Sequence, residues 1–101
     1  MNIKKASENE QIVLGLSGRL DTTTAPEFQE SLLKEIKTGK NIILDFSGLA
    51  YVSSAGLRSL LTGQKAVTAG GQTMTLRHVS EEIMEVFDMT GFSDILTIET
   101  A

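Results

Sequence analysis

The fold follows from one apolar run, Asn41-Ile42-Ile43-Leu44-Asp45-Phe46. The run is short, and segments that contain polar residues and glycine precede and follow it. An unbroken apolar run between turn signals is typical of a strand that is covered on both faces, or nearly so. We therefore predict that residues 41–46 form the middle strand of a β-sheet.

The residues after this strand predict a loop and a second helix. Residues 47–52 form the loop, Ser53-Ser54 begins the helix and Gly70-Gly71 ends it. Apolar residues at helical spacing supply the buried face of this helix: Leu57, Leu60, Leu61 and Val67.

Two further strands and a third helix are predicted in the C-terminal part of the chain. Residues 73–77 alternate as a strand, Ser80 caps the third helix, and residues 96–99 form the last strand. The apolar face of the third helix consists of Ile83, Val86 and Phe87.

The N-terminal residues predict a β-hairpin and the first helix. The hairpin pairs residues 3–7 with residues 11–16, and Gly18 breaks the second strand. Thr24 and Glu27 have the spacing of a capping box, and the helix that they begin runs to about Thr38. Its apolar stripe consists of Phe28, Leu32, Leu33 and Ile36.

Strands that alternate with helices predict an α/β domain. We expect a mixed β-sheet with βαβ crossovers and with the helices packed mainly on one face. The chain has 101 residues, which is the usual size of one domain, so residues 1–101 are expected to form a single unit.

Composition excludes several classes of function. The net charge of −4 has the wrong sign for a domain that holds nucleic acid or anionic lipid, so neither a nucleic acid nor a membrane is an expected partner. The chain has no cysteine, which rules out disulfides, thiolate zinc sites and cysteine nucleophiles. Its first residues lack the apolar core of a signal peptide, and we predict a cytoplasmic protein.

The sequence shows no catalytic constellation. His78 is the sole histidine and has no partner ligand in the sequence pattern, so no metal site is predicted and His78 is expected at the surface or in a turn. The serines lack a Gly-x-Ser-x-Gly elbow, and Gly39-Lys40 lacks the rest of a phosphate loop. No cofactor and no enzymatic activity are predicted.

Asp45 at the end of the middle strand allows two interpretations. A carboxylate at this position is where α/β folds place ligand sites, so Asp45 could accept a phosphoryl group as in a receiver domain. Such an acceptor needs a metal and neighbouring acids. We favour the alternative, in which Asp45 caps the turn amides of Ser47 and Gly48.

Ser53-Ser54-Ala55-Gly56 is the other candidate site. Serines before a helix are ordinary N-caps, but only one of two adjacent serines can occupy the cap. The segment lies at the strand-end edge of the sheet, and Gly56 is expected to leave the first helical turn open to a partner. A helix N-terminus also tolerates an added phosphate.

Three segments carry a resemblance that covers nearly the whole chain. They are Leu16-Ser17-Gly18-Arg19-Leu20-Asp21, Leu44-Asp45-Phe46-Ser47-Gly48-Leu49-Ala50-Tyr51-Val52-Ser53-Ser54-Ala55-Gly56-Leu57-Arg58 and Phe87-Asp88-Met89-Thr90-Gly91-Phe92. In order and spacing they resemble the motifs of the STAS domain family, and more narrowly those of the bacterial anti-sigma factor antagonists.

The resemblance implies a regulator rather than an enzyme. Unphosphorylated members of this group bind an anti-sigma factor that is also a serine kinase, which frees the sigma factor. The kinase then phosphorylates a serine at the start of the second helix, the complex dissociates, and a metal-dependent serine phosphatase removes the phosphate. The acceptor position matches Ser54 here. The implied partner-binding residues are Asp21, Thr22, Thr23, Ser53, Ser54, Gly56 and Arg58.

This chain differs from the commonest pattern at two positions beside the acceptor. Ser53 replaces an aspartate and is a possible competing acceptor, whereas Ala55 replaces a second hydroxyl residue. An alternative function is a STAS module that binds without switching, for example a subunit of a lipid-transport complex. A monomer is the default expectation for a small acidic domain.

Overall fold

The computed structural model describes residues 1–99 and shows a mixed sheet with helices between its strands. Thr100 and Ala101, the last residues of the predicted domain, lie outside the described residues. In chain order the elements are β1 (Asn2–Glu8), β2 (Gln11–Leu20), α1 (Ala25–Ile36), β3 (Ile42–Val52), α2 (Ser54–Ala69), β4 (Met74–Arg77), α3 (Glu81–Thr90), a 3₁₀ turn (Phe92–Asp94) and β5 (Thr97–Ile98).

The five strands lie in the sheet in the order β1-β2-β3-β4-β5. β1 pairs with β2 in an antiparallel hairpin, and the other neighbouring strands are parallel. β3 is the central strand, as the apolar run predicts. The α/β class and the mixed sheet with its crossovers are confirmed.

All three long helices contribute to one core on one face of the sheet. Alternate side chains of the central strands, including Leu14, Leu44 and Leu76, are almost fully buried in that core. They pack with apolar side chains of the helices, and the rings of Phe46 and Phe87 lie 6.3 Å apart. The helices contribute Phe28, Leu32, Leu60, Val67, Ile83 and Phe87.

The other face of the sheet has a mainly polar surface. Val13 and Ile43 are buried there, outside the main core cluster. Arg77 crosses this face, with Nε 3.2 Å from Asp45 Oδ2 and Nη1 3.2 Å from Glu8 Oε1. These contacts raise the pKa of Arg77, mainly through the hydrogen bonds from its guanidinium to Glu8. The predicted arrangement, with helices mainly on one face, is therefore confirmed.

Two predicted strand ends are wrong, because β2 and β3 are longer than the apolar runs. Gly18 does not end β2; it adopts φ +95°, and the β2–β3 register shifts between Gly18 and Arg19. The predicted loop over 47–52 is the second half of β3. Irregular pairing lets both strands continue past polar residues, and the buried Leu49 and Val52 anchor the extension.

The predicted capping box at the first helix is also wrong. Thr24 occupies the N-cap, but its side chain makes no capping hydrogen bond. The Thr24 hydroxyl instead donates to the Arg19 carbonyl oxygen at 2.8 Å and accepts from the Asp21 amide at 2.9 Å. The cap at Ser80 is confirmed, since its Oγ accepts from the Ile83 amide at 3.2 Å.

No helix within residues 1–99 is both long and apolar enough to cross a membrane.

Candidate functional site

The ends of β2 and β3 bring two separate loops to one edge of the sheet. Leu20 pairs with Val52, and the Ser53 amide donates to the Leu20 carbonyl oxygen at 2.9 Å. The chain leaves β2 toward α1 and leaves β3 toward α2 at this point. The loop that contains Asp21 therefore lies beside the start of α2.

The two adjacent serines at the start of α2 have different roles. Ser53 is the N-cap, in extended conformation, and its Oγ accepts from the Gly56 amide at 3.2 Å. Ser54 is the first residue of α2 and is exposed. Its hydroxyl makes no hydrogen bond to any residue within 1–99. The edge thus carries one serine whose hydroxyl caps the helix and one exposed serine whose hydroxyl has no partner within residues 1–99.

Gly56 does not have the open position that the sequence suggests. It is buried, and a β-carbon at residue 56 would lie 2.9 Å from the Leu20 carbonyl oxygen and 3.1 Å from a Val52 methyl group. The expectation that Gly56 is open to a partner is therefore wrong, because the residue is buried. The glycine lets α2 approach the end of β2 closely, and in this way it places Ser54 at the edge.

Asp21 organises the loop before α1. Its Oδ1 accepts from the Thr23 amide at 3.0 Å, the Thr23 hydroxyl at 2.8 Å and the Thr24 amide at 3.2 Å. These bonds, foremost that from the Thr23 hydroxyl, lower the pKa of Asp21 against the opposing effect of burial. The same hydrogen bonds hold the carboxylate against the loop. Thr22 and Thr23 are exposed on the same loop.

A shallow groove is lined by two of the remaining predicted residues, Thr22 and Arg58. It runs between the first turns of α1 and α2 and brings Thr22 and Arg58 onto the same rim, with Ala55 between the helices. Arg58 is exposed and follows Ser54 by one helical turn. The predicted residues other than Gly56 lie on the two chain segments that meet at this edge of the sheet, the loop before α1 and the start of α2: Asp21, Thr22, Thr23, Ser53, Ser54 and Arg58. We call these residues the Ser54 edge.

Two residues at this edge were missed by the sequence reasoning. The guanidinium carbon of Arg19 lies 4.2 Å from the centroid of the Tyr51 ring, and Arg19 Nε lies 3.7 Å from Asp21 Oδ2. Arg19 and Tyr51 are paired positions of β2 and β3. The signal that could have found them is the pairing of Arg19 with Tyr51 between β2 and β3. This pairing can be predicted only if both strands are extended past their polar residues.

Asp45 has the capping role that we favoured over phosphoryl transfer. Its Oδ1 accepts from the Ser47 amide at 2.9 Å and lies 3.1 Å from His78 Nδ1, while Oδ2 accepts from Arg77. Burial raises the pKa of Asp45, but the bonds from Ser47, His78 and Arg77 outweigh it and hold the pKa at about 2. The second predicted contact, to the Gly48 amide, is absent among residues 1–99.

Among residues 1–99, no acid cluster of the kind that a receiver domain requires surrounds Asp45. Within the described part of the chain, no three His, Cys, Asp or Glu side chains are placed to hold a metal ion together. His78 is exposed and adopts φ +57°, in keeping with the predicted turn position.

Comparison with known proteins gives a consistent picture. A family model described as the STAS domain matches residues 2–101. The anti-sigma-B factor antagonist of Bacillus subtilis (strain 168) is 31% identical over 101 residues, which span 97% of this chain and 92% of that protein.

Solved structures show the same fold at lower identity. An anti-sigma factor antagonist from Mycobacterium paratuberculosis aligns with a TM-score of 0.88 and 15% identity, covering 99% of this chain and 86% of that one. The Bacillus cell fate determinant SpoIIAA in its phosphorylated form aligns with a TM-score of 0.73 and 22% identity, covering 98% and 92%. The sequence motifs, the sheet order and the match of the family model along the chain agree. The chain belongs to the STAS domain family.

Proposed function

We propose that this protein is an anti-sigma factor antagonist that works by partner switching, with Ser54 as the phosphorylation site. In its unphosphorylated form it binds an anti-sigma factor that is also a serine kinase, and the sigma factor is released. Phosphorylation of Ser54 breaks that complex, and a metal-dependent serine phosphatase restores it. The observation that carries the proposal is the exposed Ser54 hydroxyl, which is free because Ser53 supplies the cap.

The geometry suits Ser54 as an acceptor. A kinase transfers the γ-phosphoryl group of ATP to a hydroxyl that it can reach, and the Ser54 hydroxyl is exposed at the first position of α2. Phosphorylation there removes no hydrogen bond that the Ser54 hydroxyl makes within residues 1–99. The N-terminal end of the helix dipole also favours an added negative charge. The phosphorylated protein is therefore expected to keep its fold.

Charge explains how the phosphate would release the partner. The chain already carries a net charge of −4, and a phosphoserine adds about 1.5 to 2 negative charges at neutral pH. At the centre of the Ser54 edge this charge would have to be buried in the complex. Burial of an unpaired charge is costly, so the phosphorylated protein binds the kinase weakly. The protein acts by binding and not by catalysis.

A capture experiment with four baits tests partner and site together. Wild type, Ser54→Ala and Ser54→Asp are used to capture proteins from lysate of the source cells with ATP or ADP present, and mass spectrometry identifies captured proteins and modified residues. Ser7→Asp is the matched control, because it adds the same charge at an exposed serine of β1, at the far end of the hairpin.

With ADP, we expect wild type, Ser54→Ala and Ser7→Asp to capture a serine kinase that Ser54→Asp does not, and with ATP only Ser54→Ala should keep it. With ATP, phosphate should be found on Ser54 of the wild type. If all four baits capture the same partner equally and Ser54 stays unmodified, the protein is a binding module that does not switch. Phosphate on Ser53 alone would contradict the assignment of the acceptor.

A further inference from the structure

Arg19 and Tyr51 form a stacked pair on the sheet face opposite the helices. Their chain neighbours Leu20 and Val52 point into the core, so the alternation of the strands places Arg19 and Tyr51 on the other side. The guanidinium carbon lies 4.2 Å from the ring centroid, which is within the range of a cation–π contact. The two side chains therefore contact each other, although neither belongs to the core.

Both side chains are accessible to a partner. Tyr51 is 41% exposed, and the Arg19 side chain is 61% exposed. Tyrosine and arginine are enriched at the centres of protein interfaces, because each offers a large contact area together with polar groups. A stacked pair has also given up part of its side-chain entropy before a partner arrives. Such a pair is well suited to binding.

The guanidinium group retains its hydrogen-bonding capacity. Its only ion pair within residues 1–99 is with Asp21, and the separation of 3.7 Å from Nε to Oδ2 is too long for a hydrogen bond. The N–H groups of Arg19 donate to no side chain or carbonyl among these residues. A planar guanidinium with free donors matches the geometry of a carboxylate.

The pair is continuous with the Ser54 edge. Arg19 and Tyr51 are followed directly by Leu20 and Val52, whose pairing leads into the Ser53–Leu20 hydrogen bond. Asp21 contacts Arg19 on one side and holds the loop of the Ser54 edge on the other. A partner that covers Ser54 thus needs only to extend around the end of β2 and β3 to reach the pair.

We infer that the Arg19–Tyr51 pair is part of the kinase-binding surface and that it binds an aspartate or glutamate side chain of the anti-sigma kinase. The inference rests on the proposed function. It extends the contact surface from the loops at the sheet edge onto the open face of the sheet. The favoured partner group is a carboxylate, because the pair presents one fixed cation with unused donors.

Calorimetric titration with the purified kinase that is captured by Ser54→Ala tests the inference. The variants are Arg19→Ala, Arg19→Lys, Tyr51→Ala, Tyr51→Phe and the double variant Arg19→Ala with Tyr51→Ala, each checked for cooperative thermal unfolding. Lys40→Ala is the matched control, because it removes a positive charge at the opposite end of β3. Titrations at low and high salt measure the charge contribution.

Arg19→Ala is expected to weaken binding by about tenfold or more and to reduce its salt dependence, as for an interface hot spot. Tyr51→Ala should weaken binding to a similar extent. The fold-loss of affinity in the double variant should be smaller than the product of the two single fold-losses, because the two residues act together. Tyr51→Phe keeps the ring face and should bind within about twofold of wild type.

Arg19→Lys keeps the charge but not the planar fork, so its affinity should fall between those of wild type and Arg19→Ala. Because it is a mild change, it also tests the inference if Arg19→Ala fails to fold. If Arg19→Ala and Arg19→Lys bind the kinase as tightly as the control Lys40→Ala does, the inference is overturned while the proposed function stands. Failure of wild type to bind any kinase would overturn both.

Discussion

The ammonium group of Lys5 lies 2.9 Å from the carboxylate of Glu35, and this ion pair joins the edge strand β1 to α1. The Glu35 side chain is only 11% exposed, so the carboxylate depends on Lys5 for a charged partner. Lys5→Ala should lower the free energy of unfolding by about 1 kcal/mol, because it leaves that carboxylate mostly buried and unpaired. Urea unfolding at neutral pH measures the loss.

Lys4→Ala is the matched control for this prediction. Lys4 is exposed and makes no ion pair within residues 1–99. Its replacement should change the free energy of unfolding by less than about 0.5 kcal/mol. Equal losses in the two variants would show that the Lys5–Glu35 pair contributes nothing of its own.

The close contact between Gly56 and Leu20 predicts that Gly56→Ala destabilises the protein. Alanine is the better helix former, but its β-carbon would lie 2.9 Å from the backbone oxygen of Leu20, which cannot rotate away. We expect a net loss of about 1–3 kcal/mol in the free energy of unfolding. Gly71→Ala cannot serve as a control, because φ at Gly71 is +70°. The control is Ala55→Gly, which removes a β-carbon at the neighbouring position. Its free energy of unfolding is compared with that of Gly56→Ala.

Acid should destabilise the protein through Asp45. Its pKa falls from 3.8 in the unfolded chain to about 2 in the fold, so the folded state favours the ionised carboxylate. This contribution is complete above about pH 5 and is lost as the pH falls through 4 toward 2; its size is up to about 2 kcal/mol. Denaturant unfolding at pH 7 and pH 3 measures it.

Asp45→Asn provides the control for the acid prediction. An asparagine cannot titrate, so the difference in unfolding free energy between pH 7 and pH 3 should be smaller in the variant than in wild type. An unchanged difference would mean that other carboxylates, such as Glu8 beside Arg77, account for the acid sensitivity.

Ser53 should be replaceable by aspartate but not by alanine. Aspartate caps a helix as well as serine does, so Ser53→Asp should preserve the free energy of unfolding. Ser53→Ala removes the acceptor for the Gly56 amide and should cost about 1 kcal/mol. With the purified kinase and ATP, both variants should still take up phosphate on Ser54, and loss of phosphate from both would mean that Ser53 is the acceptor.

Local patterns were sufficient for most of the elements of this fold. The apolar run at 42–46 marks the central strand, and Ser80 before Ile83 marks the start of α3. Both signals depend on residues close together in the chain. The assignment of the Ser54 edge needed the family resemblance as well, because Ser53-Ser54 alone describes an ordinary helix start.

The errors arose where distant residues decide the structure. Residues 47–52 are polar enough to suggest a loop, but pairing with β2 and burial of Leu49 and Val52 keep them in a strand. Thr24 has the spacing of a capping box, yet its hydroxyl bonds to the Arg19 carbonyl oxygen at the end of β2. The Arg19–Tyr51 pair could not be predicted from local sequence for the same reason, since it forms only when both strands are extended.

The order of the strands also bears on how the chain reaches its fold. Each strand pairs only with the strand before it and the strand after it in the sequence. The hairpin of β1 and β2 is the local pairing, whereas each of the three parallel pairings joins strands that are separated by a helix. Parallel pairing closes a long loop before it gains contacts, so the sheet is expected to form more slowly than its hairpin.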